Sequence, residues 1–159
     1  MHTDNTLPRG VGSLAEAQAF LDANPDIEAV QLVITDACGV GRGKNVAREE
    51  LAALYGSGRN VAGSILGLDI TGEDVDGTGL VWDVGDADQC CRPVAGSLAR
   101  APWLTRPSAQ VLGTMFELDG RPSPADPRHA LAGIVARCEA VGLTPVVAVE
   151  LEFYLLERD

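Results

Sequence analysis

The sequence predicts an α+β fold. Three observations carry that expectation. Helix start signals stand near both ends of the chain, β-branched apolar runs lie between and after them, and 18 glycines with 9 prolines divide the rest into short pieces. Gly and Pro at that density favour turns over long helices, and alternating apolar runs bounded by them read as strands.

Residues 1–12 read as a leader. Ser13-Leu14-Ala15-Glu16 is a capping-box pattern, in which the serine oxygen takes a free amide and Glu16 reaches back. A helix is expected from there to about Ala23, with Leu14, Phe20 and Leu21 on its apolar side and Asn24-Pro25 ending it. The β-rich run from Glu28 to Asp36 reads as a strand, and Lys44-Asn45-Val46 as its returning partner across a turn spaced by Gly39, Gly41 and Gly43. Arg42 and Lys44 then form a basic hairpin tip. The same stretch is neither of the glycine-rich phosphate-loop patterns, so a hairpin turn is the better reading.

A second helix is expected over Arg48 to Tyr55, stopped by Gly56 and Gly58. Val61 to Leu68 reads as strand or extended chain, Asp69 to Asp76 as an acidic loop, Gly79 to Asp83 as a further strand, and Ala109 to Glu117 as a strand entering a turn at Leu118-Asp119-Gly120. Asp126-Pro127 pairs a favoured N-cap with a favoured first residue, so a helix is expected to about Ala140, with Gly142 ending it. Pro145 to Leu156 reads as a long apolar strand carrying two glutamates. The first domain boundary falls in the Pro-rich stretch from Arg121 to Pro127.

With 23 acidic against 12 basic residues the net charge is −11, and the basic residues are scattered. Nucleic acid and anionic membranes are therefore excluded as expected partners, since phosphate binding needs clustered Lys and Arg. No apolar stretch reaches the roughly 18–20 residues of a membrane span, and Met1-His2-Thr3-Asp4-Asn5 lacks signal-peptide character. Cytoplasm is the expected compartment. Cys38, Cys90, Cys91 and Cys138 form no CxxC, and His2 and His129 are the only histidines, so reduced thiols are expected rather than a zinc site.

The chemistry concentrates in Val147-Val-Ala-Val-Glu150-Leu-Glu152-Phe-Tyr-Leu-Leu156. On a strand, Glu150 and Glu152 would project from one side about 6.5–7 Å apart. Two carboxylates among apolar neighbours repel, and a divalent cation would relieve that; hard oxygen ligands suit Mg²⁺ or Mn²⁺. A half-exposed strand with two glutamates on its polar face explains the same spacing. Context decides between them.

Glu150-Leu-Glu152-Phe-Tyr-Leu-Leu resembles the E-x-E-F-x-L signature that opens the catalytic barrel of glutamine synthetases. Asp126-Pro-Arg128, a helix and Gly142 resemble the segment preceding that strand in the same superfamily. Asp36 to Gly43-Lys44 is similar to the D-x-x-G-x-x-R-G-K hairpin of its N-terminal β-grasp domain, and Asp119-Gly120-Arg121-Pro122 to the D-G-x-P turn near that domain's end. The four motifs fall in the expected order over residues 28–157.

The resemblance implies a leader and helix over 1–25, a β-grasp domain over 26–121, and over 122–159 the first helix and strand of a catalytic domain. It implies that Glu150 and Glu152 are metal ligands. It also implies use of ATP and Mg²⁺ or Mn²⁺ to join glutamate to ammonia or an amine through a γ-glutamyl phosphate, in rings of subunits with shared active sites. The loop after Leu68 corresponds to one that reaches a neighbouring subunit's site, where Asp69 would hold the ammonium or amine. The usual D-G-S-S is absent: here it is Asp69-Ile-Thr-Gly-Glu73. That departure points to the γ-glutamylpolyamine synthetase-like branch. Since the family's remaining ligands and nucleotide site lie further downstream than Asp159, the chain by itself is expected to be inactive. The alternative is a free-standing α+β binding or assembly module.

Overall fold

The computed structural model of the chain describes Pro8 and residues 10–157. Most of the expected leader, including His2, lies outside the described residues. Within it, Gly10 to Gly12 are already structured: the Gly12 amide donates to Pro93 O at 2.8 Å, the Ala95 amide to Gly10 O at 2.9 Å, and Val11 bridges Val94.

The architecture is α+β, as expected. Strands β1 (Ala29–Thr35), β2 (Gly41–Ala47), β3 (Arg59–Ala62), β4 (Asp88–Pro93), β5 (Ala99–Arg100) and β6 (Ser108–Phe116) form a six-stranded sheet in the order β2-β1-β6-β4-β3, with β5 also paired to β6. The β1–β2 hairpin is antiparallel, and β1 lies parallel to β6 from Ala29↔Ser108 to Val33↔Leu112. The second half of β6 turns to β4, pairing Phe116 with Cys90 and Gly113 with Pro93. One long strand thus serves three partners, β1 and β5 along its first half and β4 along its second.

Alternation explains the core. Val30, Leu32 and Ile34 of β1 share one face and are each at most 1% exposed. They pack with Val111 and Met115 of β6 and with two helices, α1 (Leu14–Ala23) and α2 (Leu51–Ser57). Ser13 caps α1 by accepting from the Glu16 amide at 3.3 Å. The rest of the capping box does not close. The Glu16 carboxylate instead accepts from the Tyr55 hydroxyl at 3.3 Å and the Gly96 amide at 3.0 Å, tying α1 to α2 and to the loop before β5. On α1 the buried residue is Ala17, flanked by half-buried Phe20 and Leu21, whereas Leu14 is 52% exposed.

The C-terminal end of α1 is held by a side chain far along the sequence. Arg48 donates to Leu21 O at 2.8 Å, Asn24 O at 2.7 Å and Ile27 O at 3.1 Å. Leu21 O and Asn24 O also accept the Asn24 and Ile27 amides at 3.3 Å, and the guanidinium adds a charged donor that opposes the negative end of the helix dipole. Arg48→Ala is expected to destabilise the fold by about 2 kcal/mol, seen as a lower urea midpoint at unchanged slope. A midpoint within error of the parent would mean water replaces the guanidinium at no cost.

Two strand expectations are corrected. Gly79 to Asp83 is turn, because Gly79 takes a left-handed conformation at φ +71 that ends the short 3₁₀ turn Asp76–Thr78 and cannot begin a ladder. Val61 to Leu68 is strand only as far as Ala62, then a 3₁₀ turn over Gly63–Leu66. The third helix, α3 (Pro127–Ala140), begins at Asp126 as expected, with the Asp126 side chain accepting from the Arg128 amide at 2.8 Å.

The strand expected over 145–156 is not formed. Among the described residues, that segment joins no ladder, and its side chains, from Val146 at 92% to Leu156 at 88%, are exposed. A strand exists only through hydrogen bonds to a neighbour, and the pattern of one segment does not supply the neighbour.

Candidate functional site

The acidic loop is built around the one aspartate singled out for the amine. Asp69 Oδ1 accepts from the Thr71 amide at 2.8 Å, the Thr71 hydroxyl at 2.7 Å and the Glu73 amide at 3.0 Å. The Asp69 amide donates to Glu73 O at 3.0 Å and the Gly72 amide to Asp69 O at 3.1 Å, closing a small loop in which the carboxylate is the organising acceptor. The Thr71 hydroxyl first, then the Glu73 amide, hold the Asp69 carboxyl below its ordinary pKa, so it is ionised at neutral pH.

The hairpin turn between β1 and β2 lies against this loop. Asp36, buried at the end of β1, accepts from the Cys38 amide at 2.9 Å and the Val40 amide at 2.8 Å through one oxygen. Its other oxygen pairs with Arg42 Nε at 2.8 Å. Burial alone would raise the Asp36 carboxyl; the Arg42 guanidinium and the turn amides outweigh it and hold it below its ordinary value. The same guanidinium donates from Nη2 to Asp69 O. Ala37 N donates to Leu66 O at 3.2 Å and Cys38 Sγ lies 3.8 Å from Leu68 O.

Arg42 is therefore not half of a free basic tip. The sequence separation of 27 residues from Asp69 hid the contact. The available signal was Asp36 at a strand end before a glycine turn, an arrangement that turns its carboxylate back onto the following amides.

Glu150 and Glu152, the expected metal ligands, are both exposed on the unpaired segment. Among the described residues no group of three or more His, Cys, Asp or Glu stands together as a metal site. Their oxygen donors suit Mg²⁺ or Mn²⁺, but two exposed carboxylates do not make up a ligand set. The four cysteines are free of disulfides, and burial first, with Cys90 next to it, pushes the Cys91 thiol up to about 12, which fits an inert thiol at that position. The Asp119 turn forms as expected: its carboxylate takes the Arg121 amide at 3.0 Å and Arg121 Nε at 2.8 Å, with Gly120 at φ +87. Among the described residues no helix is long and apolar enough to cross a membrane.

No family model matches the chain. Individual relatives do. Gamma-glutamylputrescine synthetase PuuA of Escherichia coli is 37% identical over 150 residues, 94% of this chain and 32% of the relative. Glutamate–isopropylamine ligase of a Pseudomonas species is 33% identical over 135 residues, 82% of this chain and 29% of that protein. The chain belongs to the glutamine synthetase superfamily.

Glutamine synthetase of Mycolicibacterium smegmatis is 31% identical over 136 residues, 83% of this chain and 28% of its own length. The chain thus spans about a third of the length of the curated relatives it matches. Among solved structures, the GmaS complex with ADP matches at TM-score 0.59 and 28% identity over 79% of this chain and 26% of that one. A glutamine synthase homologue matches at TM-score 0.62 and 25% identity over 72% and 27%. The superfamily expectation drawn from the four motifs is thereby met.

Proposed function

We propose that this chain is the amino-terminal part of an ATP-dependent ligase that joins the γ-carboxylate of glutamate to an organic amine. The supporting observation is that the Asp69 loop, with Ile70, Thr71 and Gly72 in place of a Gly-Ser-Ser run, accompanies higher identity to two amine ligases (37% and 33%) than to the M. smegmatis glutamine synthetase (31%). In this reading ATP transfers its γ-phosphoryl group to the glutamate γ-carboxylate and ADP leaves. The bound ammonium gives a proton to the Asp69 carboxylate, the freed nitrogen lone pair attacks the acyl phosphate carbon and expels phosphate, and loss of a second N–H proton leaves the amide.

Asp69 holds the amine in its cationic form, and its loop serves the site of a neighbouring subunit in a ring. The ionised carboxylate, kept so by Thr71 and Glu73, is suited to that pairing. Glu150 and Glu152 are assigned as a partial ligand set for Mg²⁺ or Mn²⁺, completed by groups outside this chain. The compartment proposed is the cytoplasm.

The test is steady-state kinetics of the full-length ligase. Asp69→Ala is expected to raise the amine KM by about 10- to 100-fold, the worth of one charge-assisted contact. An unchanged KM removes Asp69 from the amine site. A higher kcat/KM with ammonia than with any primary alkylamine or diamine would overturn the organic-amine assignment.

A further inference from the structure

We infer that Arg42 is a positioning residue for Asp69, fixing the amine-site loop to the first hairpin. For its catalytic consequence this rests on the amine-site reading of Asp69 given above. The geometry that carries it does not.

The loop from Asp69 to Glu73 is closed on itself by the Asp69 carboxylate, so it can move as one piece. What registers that piece on the sheet is a series of ties from the hairpin turn. Ala37 holds Leu66 O, Cys38 approaches Leu68 O, and Arg42 holds Asp69 O. The first two act before the functional residue, and only Arg42 acts at it. Beyond Asp69, residues 70–76 are exposed.

The guanidinium is itself fixed. Its anchor, Asp36, has a fully buried side chain whose second oxygen is taken by the turn amides of Cys38 and Val40, so the carboxylate cannot rotate away. A planar fork with Nε on one acceptor and Nη2 on another sets both direction and distance, which a lysine ammonium does not. Gly72 reinforces this. It stands at φ +93, and a Cβ there would come within 3.3 Å of Arg42 Nη1, so the loop is shaped around the guanidinium. Because Arg42 meets residue 69 at the backbone oxygen, the Asp69 carboxylate is positioned without being taken up in that bond.

Arg42→Lys is the informative variant, since it keeps a cation beside buried Asp36 while losing the second arm. In the 159-residue chain it is expected to speed amide exchange at Thr71, Gly72 and Glu73 by about tenfold or more, with the β1–β2 ladder amides within about twofold. In the full-length ligase it is expected to raise the amine KM by about tenfold while the glutamate and ATP KM values move by less than about twofold, because a misplaced contact costs at its own subsite. Unchanged loop exchange in Arg42→Lys overturns the inference. So does an unchanged amine KM in a background where Asp69→Ala raises it. If Asp69→Ala leaves the amine KM unchanged, the amine-site reading falls instead, and accelerated exchange still supports Arg42 as the tie that holds the loop.

Discussion

Replacing Gly43 by alanine is expected to cost about 3–5 kcal/mol, enough to take a marginal domain close to its unfolding threshold. Gly43 lies opposite Val33 in the β1–β2 ladder at φ +155. A Cβ there would sit 1.7 Å from Leu32 O and 2.8 Å from Leu32 C, inside the neighbouring strand's backbone. No rotamer relieves that, because the obstacle is main chain. The strands must separate, and Leu32, a fully buried core residue, moves with them. Gly39→Ala is the control: it is also left-handed, at φ +78, but a Cβ would meet nothing within 4 Å. Only the conformational cost of about 1 kcal/mol remains there. Urea unfolding of the two variants should rank them in that order. Equal losses would show that backbone conformation, not the clash, sets the cost at Gly43.

The same hairpin shows what could and could not be read in advance. Its first strand was legible because the run from Glu28 to Asp36 is rich in β-branched residues, a local property, although only the fold shows that every second residue of Ala29–Thr35 is buried. Helix starts at Ser13 and Asp126-Pro127 were legible for the same reason, since caps act over three residues. Strand β4 was not. Asp88-Gln-Cys-Cys-Arg-Pro is polar and ends in proline, and it is a strand because β3 and β6 flank it on both sides. Conversely, residues 145–156 carry a strand's pattern and, among the described residues, no partner. At the candidate site, Asp69 could be placed in its loop from sequence order. Arg42 could not be joined to it, because that contact depends on how the hairpin folds back across a sequence separation of 27 residues.

The joint between β6 and α3 is the second place where one substitution should have a large effect. Asp126 is 3% exposed and accepts three hydrogen bonds: the Thr114 hydroxyl at 2.7 Å and the Met115 amide at 2.8 Å on Oδ2, and the Arg128 amide at 2.8 Å on Oδ1. A carboxylate is acceptor-only, so all three donors are met. Asparagine has one oxygen. Turned toward Thr114 and Met115, its NH₂ group faces the Arg128 N–H and the helix cap is lost; turned the other way, it opposes the Met115 N–H and forces the Thr114 hydroxyl to reorient. Asp126→Asn is therefore expected to cost about 2 kcal/mol, and Asp126→Ala, which strands all three donors, about 3–5 kcal/mol.

The network also dictates a tautomer. The Thr114 hydroxyl hydrogen is committed to Asp126, and His129 Nε2 lies 2.8 Å from Met115 O and 3.1 Å from the Thr114 oxygen. A carbonyl only accepts, so Nε2 carries a hydrogen shared between the two, with the ring edge-on to Phe116 at 4.8 Å. Ring ¹⁵N shifts of His129 should report a protonated Nε2 in the parent chain. An Nε2 without hydrogen in the parent would mean that Thr114 donates to the ring and not to Asp126. In that case the predicted order, alanine worse than asparagine, would no longer follow from the count of stranded donors.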